Sequence, residues 1–341
     1  MLRISQLVLA GAVGTSIVLF GVVLTSRSNG AQGLLLVVNK ADHTLSIVDP
    51  DSGKQQAVLP VGGVTAHEVA AAPDGRTAWV PIYGNSGVGR PGTDGSTLTV
   101  IDLDSRNTIA TIDFGHPARP HHALFGPKDN RLYITAELTR SIDVIDPRTR
   151  KIVDSIPTGE PESHMLAISS DGKRAYTSNV GAGTVSVIDV TNKKVLAVIP
   201  ISRVAQRIAI SPDDRWVFTA DQTKPQLAVI DTQTNHVTRW IRLSDIAFGT
   251  APTRDGRYLL ITQPAAGTVA VLNLQSMKVE RVIKVPSAPQ EVLVRPDGQI
   301  AYVSCDRSKQ VAAINLASWK VDKLIDVGAG ADGLAWAVKR P

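Results

Sequence analysis

The sequence has one cysteine, Cys305, in 341 residues. One cysteine cannot form an intramolecular disulfide, a thiolate metal cluster or the Cys-x-x-Cys-His site that attaches haem c. We predict that Cys305 is a small buried hydrophobic residue, because unpaired cysteines are usually buried. The signatures Gly-x-Ser-x-Gly and His-Glu-x-x-His are also absent. The sequence therefore indicates neither a serine-hydrolase elbow nor a zinc-protease helix.

The sequence also lacks clusters of like charge and has few aromatic residues. The chain has 36 basic and 31 acidic residues, without a run of five or more like charges, and aromatic residues make up only 4%. Nucleic-acid-binding proteins usually concentrate basic residues in a patch interleaved with stacking aromatic side chains. We therefore expect no nucleic-acid partner and a core of aliphatic residues.

Residues 1–31 differ from the rest of the chain. Arg3 precedes an apolar stretch over residues 4–24, and a polar segment follows it. This order is typical of an export signal. The apolar stretch is nearly long enough to cross a bilayer, and Asn29-Gly30-Ala31 is a weak cleavage pattern, so a cleaved signal peptide and a membrane anchor both remain open. Either one predicts that residues 32–341 lie outside the cytoplasm, in the periplasm or at the cell surface, where a cysteine-poor chain is tolerated.

A tripeptide similar to Pro-Asp-Gly, which is typical of a turn, recurs at intervals of about 42 residues. It begins at Pro73, Pro127, Ser170, Pro212, Arg254 and Pro296, and the first interval is longer than the others. A run similar to Val-Ile-Asp has the same period and ends at Asp49, Asp102, Asp146, Asp189, Asp231, Asn273 and Asn315. Each unit resembles four short strands, and no stretch sustains helical periodicity. A four-stranded unit of about 40 to 45 residues is the size of a propeller blade.

The two ends of the repeat region predict how the ring closes. The region starts at residues 34–39 without a preceding first strand, and residues 333–338 supply that missing strand. Six complete units and this shared unit predict an all-β, seven-bladed β-propeller with four-stranded blades, formed as one domain by residues 32–341. Closing the ring removes the exposed sheet edges of an open array, and we expect a monomer.

The second strands of several units carry a common pattern. They read Tyr133-Ile134-Thr135-Ala136, Tyr176-Thr177-Ser178-Asn179, Phe218-Thr219-Ala220-Asp221 and Tyr302-Val303-Ser304-Cys305. With the Asp-Gly turns and the Val-Ile-Asp runs, this pattern resembles the YVTN-type β-propeller repeat family of exported bacterial propellers. The resemblance implies the fold; similar propellers serve as surface-layer proteins, binding proteins, cofactor-carrying redox domains and lactone hydrolases. We interpret the repeated Asp as a structural cap of the turn into the fourth strand.

Polar residues are concentrated where the chain enters the first strand of each blade. The position six residues before the turn motif holds His67, His121, His164, Gln206, Phe248 and Gln290, and Asp332 is its equivalent in blade one. The next position holds Glu68, His122, Met165, Arg207, Gly249, Glu291 and Gly333. Because first strands line the channel of a propeller, we expect these side chains to share one channel mouth.

Three uses of these side chains remain open. His67, His121, His122, His164 and Asp332 combine imidazole nitrogens with one carboxylate, the ligand set that holds Zn or another borderline transition metal. The first use is therefore a site for a divalent metal: Zn, Cu, Mn or Ca. Without a metal, a small polar ligand would contact Arg119, Gln206, Arg207 and Gln290. The histidines are structural in the third interpretation, bonded to the backbone of a neighbouring blade.

The extra length of the second unit is the glycine-rich segment 84–96, which carries Arg90 and Asp94. It lacks the Gly-Lys-Ser/Thr ending and the following helix of a phosphate-binding loop. We interpret it either as a lid whose Arg90 or Asp94 contacts a ligand, or as a tolerated surface insertion.

The sequence therefore gives three hypotheses of function. The first is an exported propeller that binds a small ligand or a metal ion at the channel mouth. The second is a metal-dependent, lactonase-like hydrolase with Glu68 or Glu291 as general base. The third is a structural surface protein that contacts protein partners through a propeller face, although such a protein needs no concentration of histidines on one side of the ring.

Overall fold

Seven four-stranded antiparallel sheets form a ring in the computed structural model, which describes residues 32–339. In each blade the first strand is innermost and the fourth is outermost. Blade one contains β28 (Ala331–Val338), β1 (Gly33–Asn39), β2 (Thr44–Asp49) and β3 (Lys54–Pro60). The all-β, seven-bladed fold with four-stranded blades is thus confirmed.

The other six blades follow in chain order. Blade two contains β4 (Ala70–Ala71), β5 (Thr77–Gly84), β6 (Asp94–Asp102) and β7 (Asn107–Asp113). Blade three contains β8 (Pro120–Phe125), β9 (Leu132–Ala136), β10 (Ser141–Asp146) and β11 (Lys151–Pro157). Blade four contains β12 (Ser163–Ile168), β13 (Arg174–Asn179), β14 (Thr184–Asp189) and β15 (Lys194–Pro200).

Blade five contains β16 (Ala205–Ile210), β17 (Trp216–Asp221), β18 (Gln226–Asp231) and β19 (His236–Arg242). Blade six contains β20 (Thr250–Pro252), β21 (Tyr258–Gln263), β22 (Thr268–Asn273) and β23 (Lys278–Lys284). Blade seven contains β24 (Pro289–Val294), β25 (Ile300–Cys305), β26 (Gln310–Asn315) and β27 (Lys320–Asp326), with a short 3₁₀ turn at Asp306–Ser308.

The first blade is closed by strands from both ends of the described chain. β1 pairs with β28 in antiparallel register, with Leu35 opposite Trp336 and Val37 opposite Leu334. β1 pairs on its other side with β2. The shared blade predicted from the ends of the repeat region is therefore present.

The core consists of aliphatic residues packed between neighbouring blades. One cluster joins blades one and two through Leu36, Val38, Val80 and Ile82, all at most 2% exposed. Alternation of apolar and polar residues fades in the middle strands, because both faces of those strands are covered by adjacent blades. Cys305 is fully buried, and burial raises the pKa of its thiol to about 12. The predictions of an aliphatic core and a buried cysteine are confirmed.

The repeated Asp of each unit forms the turn bond predicted for it. The Oδ1 atom of Asp49 accepts from the backbone N–H of Asp51 at 2.9 Å, and Asp102 accepts from Ser105 N–H at 2.7 Å. Asp146, Asp189, Asp231, Asn273 and Asn315 accept equivalent bonds. These residues fix the turn between the third and fourth strands, which explains their period without a role in chemistry.

Within residues 32–339 no helix is long and apolar enough to cross a bilayer. The export signal or anchor predicted for residues 1–31 lies outside the described residues.

We predict that Trp336→Ala destabilises the ring at its closure. The Trp336 ring is 8% exposed and stacks on Tyr302 of blade seven, with 5.9 Å between ring centroids and 12° between the ring planes. Truncating a buried tryptophan costs about 3–5 kcal/mol of unfolding free energy, measurable by urea denaturation. Trp240→Ala is the matched control, because that side chain lies on an outer strand and is 40% exposed. Equal losses in both variants would contradict a special role for the closing blade.

Candidate functional site

The chain segments that enter the first strands are distorted where the predicted site residues lie. The pairing of first and second strands shifts between Pro120 and Ala123, and between Ser163 and Met165. It also shifts between Gln206 and Ile208 in blade five, where Arg207 has a backbone φ of 49°. Such bulges turn side chains away from the regular pleat. In blade five the bulge lets Arg207 reach across the channel to blades one and two, whereas the hydrogen bonds of the bulged histidines are to adjacent blades.

His67, His121 and His164 come from blades two, three and four and lie together. The ring centroids of His67 and His121 are 5.3 Å apart, and those of His121 and His164 are 3.5 Å apart. Tyr83, at the end of β5, packs edge-on against His121 with 5.2 Å between centroids. The structure thus brings together three of the predicted histidines.

A buried glutamate that the sequence analysis missed connects Tyr83 to His164. Glu137 follows β9 and is 2% exposed. Its Oε2 atom accepts a hydrogen bond from Tyr83 OH at 2.7 Å, and its Oε1 atom accepts a short bond from His164 Nδ1. A carboxylate at Nδ1 holds the proton there and leaves Nε2 as an acceptor, to which Gln206 Nε2 donates at 3.1 Å.

His121 differs from the other channel histidines because, within residues 32–339, neither ring nitrogen has a hydrogen-bond partner, although both are buried. The side chain is 1% exposed. Burial lowers the pKa of His121 well below its usual value, and nearby charges act in the same direction. The neutral ring therefore offers one donor and one acceptor, both unused, in a place where unused polar groups are uncommon.

Arg207 crosses the channel and joins blade five to blades one and two. Its Nη1 atom lies 2.6 Å from Glu68 Oε1, and its Nη2 atom lies 3.0 Å from Asp332 Oδ1. The opposite oxygen of Asp332 lies 3.2 Å from Lys40 Nζ, which also lies 3.4 Å from Asp306. The guanidinium packs 4.8 Å from the centroid of the Phe248 ring. Three predicted site residues, Glu68, Arg207 and Asp332, thus form one ion-pair network, which Lys40 and Asp306, not predicted as site residues, extend to blade seven.

Glu68 and Glu291 form a second carboxylate feature beside this network. Burial raises the pKa of Glu291 well above its usual value, and the neighbouring Glu68 raises it further. Burial also raises the pKa of Glu68, against the effect of Arg207. Glu291 Oε2 accepts from Leu334 N–H at 2.7 Å. Because Arg207 favours the charge on Glu68, we assign the proton of the pair to Glu291.

The segment between β5 and β6 is held in place by Arg119. Arg119 Nε donates to Asp94 at 2.6 Å, and its Nη2 donates to the Arg90 carbonyl at 2.8 Å. A Cβ atom added to Gly89 would lie 2.7 Å from Glu162 Oε1 of the connection into blade four. The segment therefore extends over blade three towards blade four, on the side of the histidines.

The remaining predicted residues are more peripheral. His122 Nδ1 accepts from Leu166 N–H at 3.1 Å, which is the backbone link that the structural interpretation predicts. Gln290 donates to the Ala288 carbonyl at 3.2 Å. Within residues 32–339 no group of three or more His, Cys, Asp or Glu residues is arranged to hold a metal ion. A metal site would need the imidazoles to move.

Grooves between the blades lie at the opposite face. One of about 340 Å³ between blades three and four is lined by turn residues such as Lys128, Asp171 and Lys193. Since equivalent turn residues recur around the ring, this groove gathers no chemistry comparable to that of the channel mouth.

Comparison with known proteins gives a family and several similar folds. A family model described as "Lactonase, 7-bladed beta-propeller" matches residues 37–241. Antigen Lp49 of Leptospira interrogans is 31% identical over 84 residues, and this match covers 25% of the present chain and 18% of that protein. The present chain thus matches less than a fifth of the length of this relative.

Solved structures share the fold at low sequence identity. Hydrazine synthase of Kuenenia stuttgartiensis superposes with a TM-score of 0.73 at 21% identity, covering 84% of this chain and 94% of that chain. The dihydro-heme d1 dehydrogenase NirN, solved in complex with DHE, gives a TM-score of 0.62 at 16% identity, with 91% and 76% covered. These identities support similarity of fold alone.

We predict that the channel histidines make stability depend on pH. Burial is the main reason that the pKa of His67 falls from 6.5 to about 4. Below pH 6.5 the unfolded chain binds a proton that the folded chain excludes, so the free energy of unfolding falls as the pH is lowered from 6.5 towards 4. His67 alone should contribute about 2 kcal/mol between pH 7 and pH 4.5.

Urea denaturation at the two pH values measures this change. His67→Gln should flatten the dependence, whereas His236→Gln should not, because His236 is exposed on the opposite face. Carboxylates that titrate in this pH range are present in the wild type and in both variants, so they do not contribute to the difference between these proteins. If the free energy of unfolding falls equally between the two pH values in the wild type and in His67→Gln, the assignment of the pH dependence to His67 is refuted.

Proposed function

The chain belongs to the lactonase family of seven-bladed β-propellers, and we propose that its channel mouth binds a small hydrogen-bonding molecule of the lactone class beside His67 and His121. One observation carries the proposal: both ring nitrogens of His121 are buried without a partner. An unsatisfied buried donor or acceptor costs about 1–3 kcal/mol. A ligand that offers a carbonyl and a ring oxygen would accept from the N–H, and a hydroxyl group or a bound water would satisfy the other nitrogen.

His67 covers the solvent side of His121, so a ligand reaches the His121 nitrogens only when His67 moves aside. The His67 side chain is 24% exposed, and its ring lies between solvent and His121. Tyr83, Glu137, His164 and Gln206 are already bonded to one another, so they form a rigid wall. A preorganised wall reduces the entropy lost on binding.

A metal ion held by His67, His121 and His164 is the alternative occupant of the site. Mass spectrometry of the protein after incubation with Zn, Cu, Mn and Ca salts tests for it.

Export, anchoring through residues 4–24 and a monomeric state remain predictions from the sequence.

His121→Phe is the variant that tests ligand binding. Phenylalanine keeps the ring but removes both unsatisfied nitrogens, so the melting temperature should stay the same or rise while binding is lost. γ-Butyrolactone is the probe, titrated calorimetrically and by the imidazole NMR resonances of the channel histidines. We expect the dissociation constant to rise at least about tenfold, or about 1.4 kcal/mol.

His116→Phe is the matched control, because His116 is exposed in the connection that enters blade three. Binding that survives in His121→Phe, or a melting temperature that drops as in a cavity variant, would contradict the proposal.

Lactone hydrolysis is a second candidate function, favoured by the bond between Glu137 and His164. A carboxylate at Nδ1 orients an imidazole so that Nε2 can accept a proton from water, which requires Gln206, the present donor to this nitrogen, to move aside. The water oxygen would attack the lactone carbonyl carbon and the ring C–O bond would break. The proton would pass through His164 to the leaving alkoxide, giving a hydroxy acid. Glu291, which carries the proton of the carboxylate pair, would suit the role of acid better than that of base.

Glu137→Gln tests this second function. The amide keeps the shape but no longer stabilises an imidazolium at His164, so kcat should fall by about 10²–10⁴ with little change in KM. Glu160→Gln, on the connection into blade four, is the control. Assays of ring opening by proton release measure both variants. Equal kcat values in wild type and Glu137→Gln would exclude His164 as the base.

A further inference from the structure

We infer that the channel site accepts uncharged or cationic ligands and rejects anionic ligands of the same shape, an inference that rests on the proposed function. The charged groups of the channel wall carry it. Arg207, Lys40 and Arg119 are already paired with carboxylates, Arg90 is exposed, and carboxyl groups outnumber these cations.

The cations are committed to partners. Arg207 binds Glu68 and Asp332, and Lys40 lies between Asp332 and Asp306. Arg119, at the edge of the histidine cluster, binds Asp94 and two backbone carbonyls. An anionic ligand could pair with one of these groups only by displacing a buried carboxylate, which would then be left without its partner.

The carboxylates outnumber the cations. The wall contains six carboxyl groups, those of Asp94, Glu137, Asp306, Asp332, Glu68 and Glu291. Arg207, Lys40 and Arg119 oppose them, and the exposed Arg90 adds a fourth cation at the edge of the site. Setting aside Glu137, which is bonded to His164, leaves five carboxyl groups against four cations. A narrow site surrounded by protein focuses such an imbalance and repels anions.

The imidazoles of His67 and His121 complete the selection. Both ring nitrogens of His121 are buried and have no hydrogen-bond partner within residues 32–339. Their nitrogens can donate to or accept from an uncharged ligand. An ammonium group can donate to an imidazole nitrogen and gains from the surrounding carboxylates.

Substitution of Glu162 would change the electrostatic field at the channel mouth without altering the ion pairs of Arg207, Lys40 and Arg119. Its carboxylate lies beside the segment between β5 and β6, where an added Gly89 Cβ would contact it. It is half-buried, and burial together with Glu137 raises its pKa. Glu160 lies two residues earlier on the same connection and near Thr184, at 3.5 Å. The two glutamates therefore form a matched pair for substitution.

Three five-membered lactones of different charge test the inference: uncharged γ-butyrolactone, its cationic α-amino derivative and its anionic γ-carboxy derivative. Dissociation constants are measured by calorimetry, with the imidazole resonances of the channel histidines reporting whether each compound enters the site. We expect the anion to bind at least about tenfold more weakly than the uncharged lactone at low salt. Added salt and Glu162→Gln should both narrow this difference, whereas Glu160→Gln should leave it unchanged.

The outcomes separate this inference from the proposal that supports it. An anionic lactone that binds as tightly as the uncharged one, or more tightly, would overturn charge selection while leaving lactone binding intact. If none of the three shifts the channel histidine resonances, lactone binding fails, and charge selection fails with it.

Discussion

The antiparallel pairing of β28 with β1 is the contact on which the rest of the molecule depends. Each blade buries its two faces only against its neighbours, so an open row of blades would leave the first and last faces in water. Closing the ring through one shared blade covers those faces and fixes the channel diameter. The seven connections then have to meet at one mouth, which is how residues as distant in sequence as Glu68 and Arg207 come within 2.6 Å.

Charged and polar side chains lie in the channel interior, whereas the clusters between the blades are aliphatic. Burying a guanidinium is unfavourable unless charge and hydrogen-bond partners surround it, and Arg207 has two carboxylates and the face of Phe248. The network joins blades one, two, five and seven and so braces the ring from inside. Within residues 32–339 several buried polar atoms still lack a partner, among them both ring nitrogens of His121 and the Nε atom of Arg207. Local imperfection of this kind is common where stability has been traded for function.

The sequence predicted the periodic features and missed those that depend on particular pairs. A repeat of about 42 residues is enough to predict the blades, the Asp-centred turns and the set of residues that face the channel, because the geometry recurs in each unit. Glu137 was missed because it follows a second strand, outside the position that the alignment of turns selects. The pairing of Arg119 with Asp94 was also missed, since both had been considered only as separate ligand contacts. Such pairs depend on bulges and on the exact rotation between blades, which single-sequence periodicity does not contain.

The clamp of Arg119 on the segment between β5 and β6 gives the ring a closed side and an open side. The corresponding loops of the other six blades have only four residues between their strands, at 40–43, 137–140, 180–183, 222–225, 264–267 and 306–309. The long segment of blade two therefore covers the channel mouth above blades three and four, and within residues 32–339 no loop of comparable length covers it above blades five to seven. A ligand of the proposed site would enter from the uncovered side, with its bulky groups over blades five to seven and its leading end facing the histidines. A single insertion in blade two thus makes the two sides of the channel mouth unequal, although the blades themselves repeat.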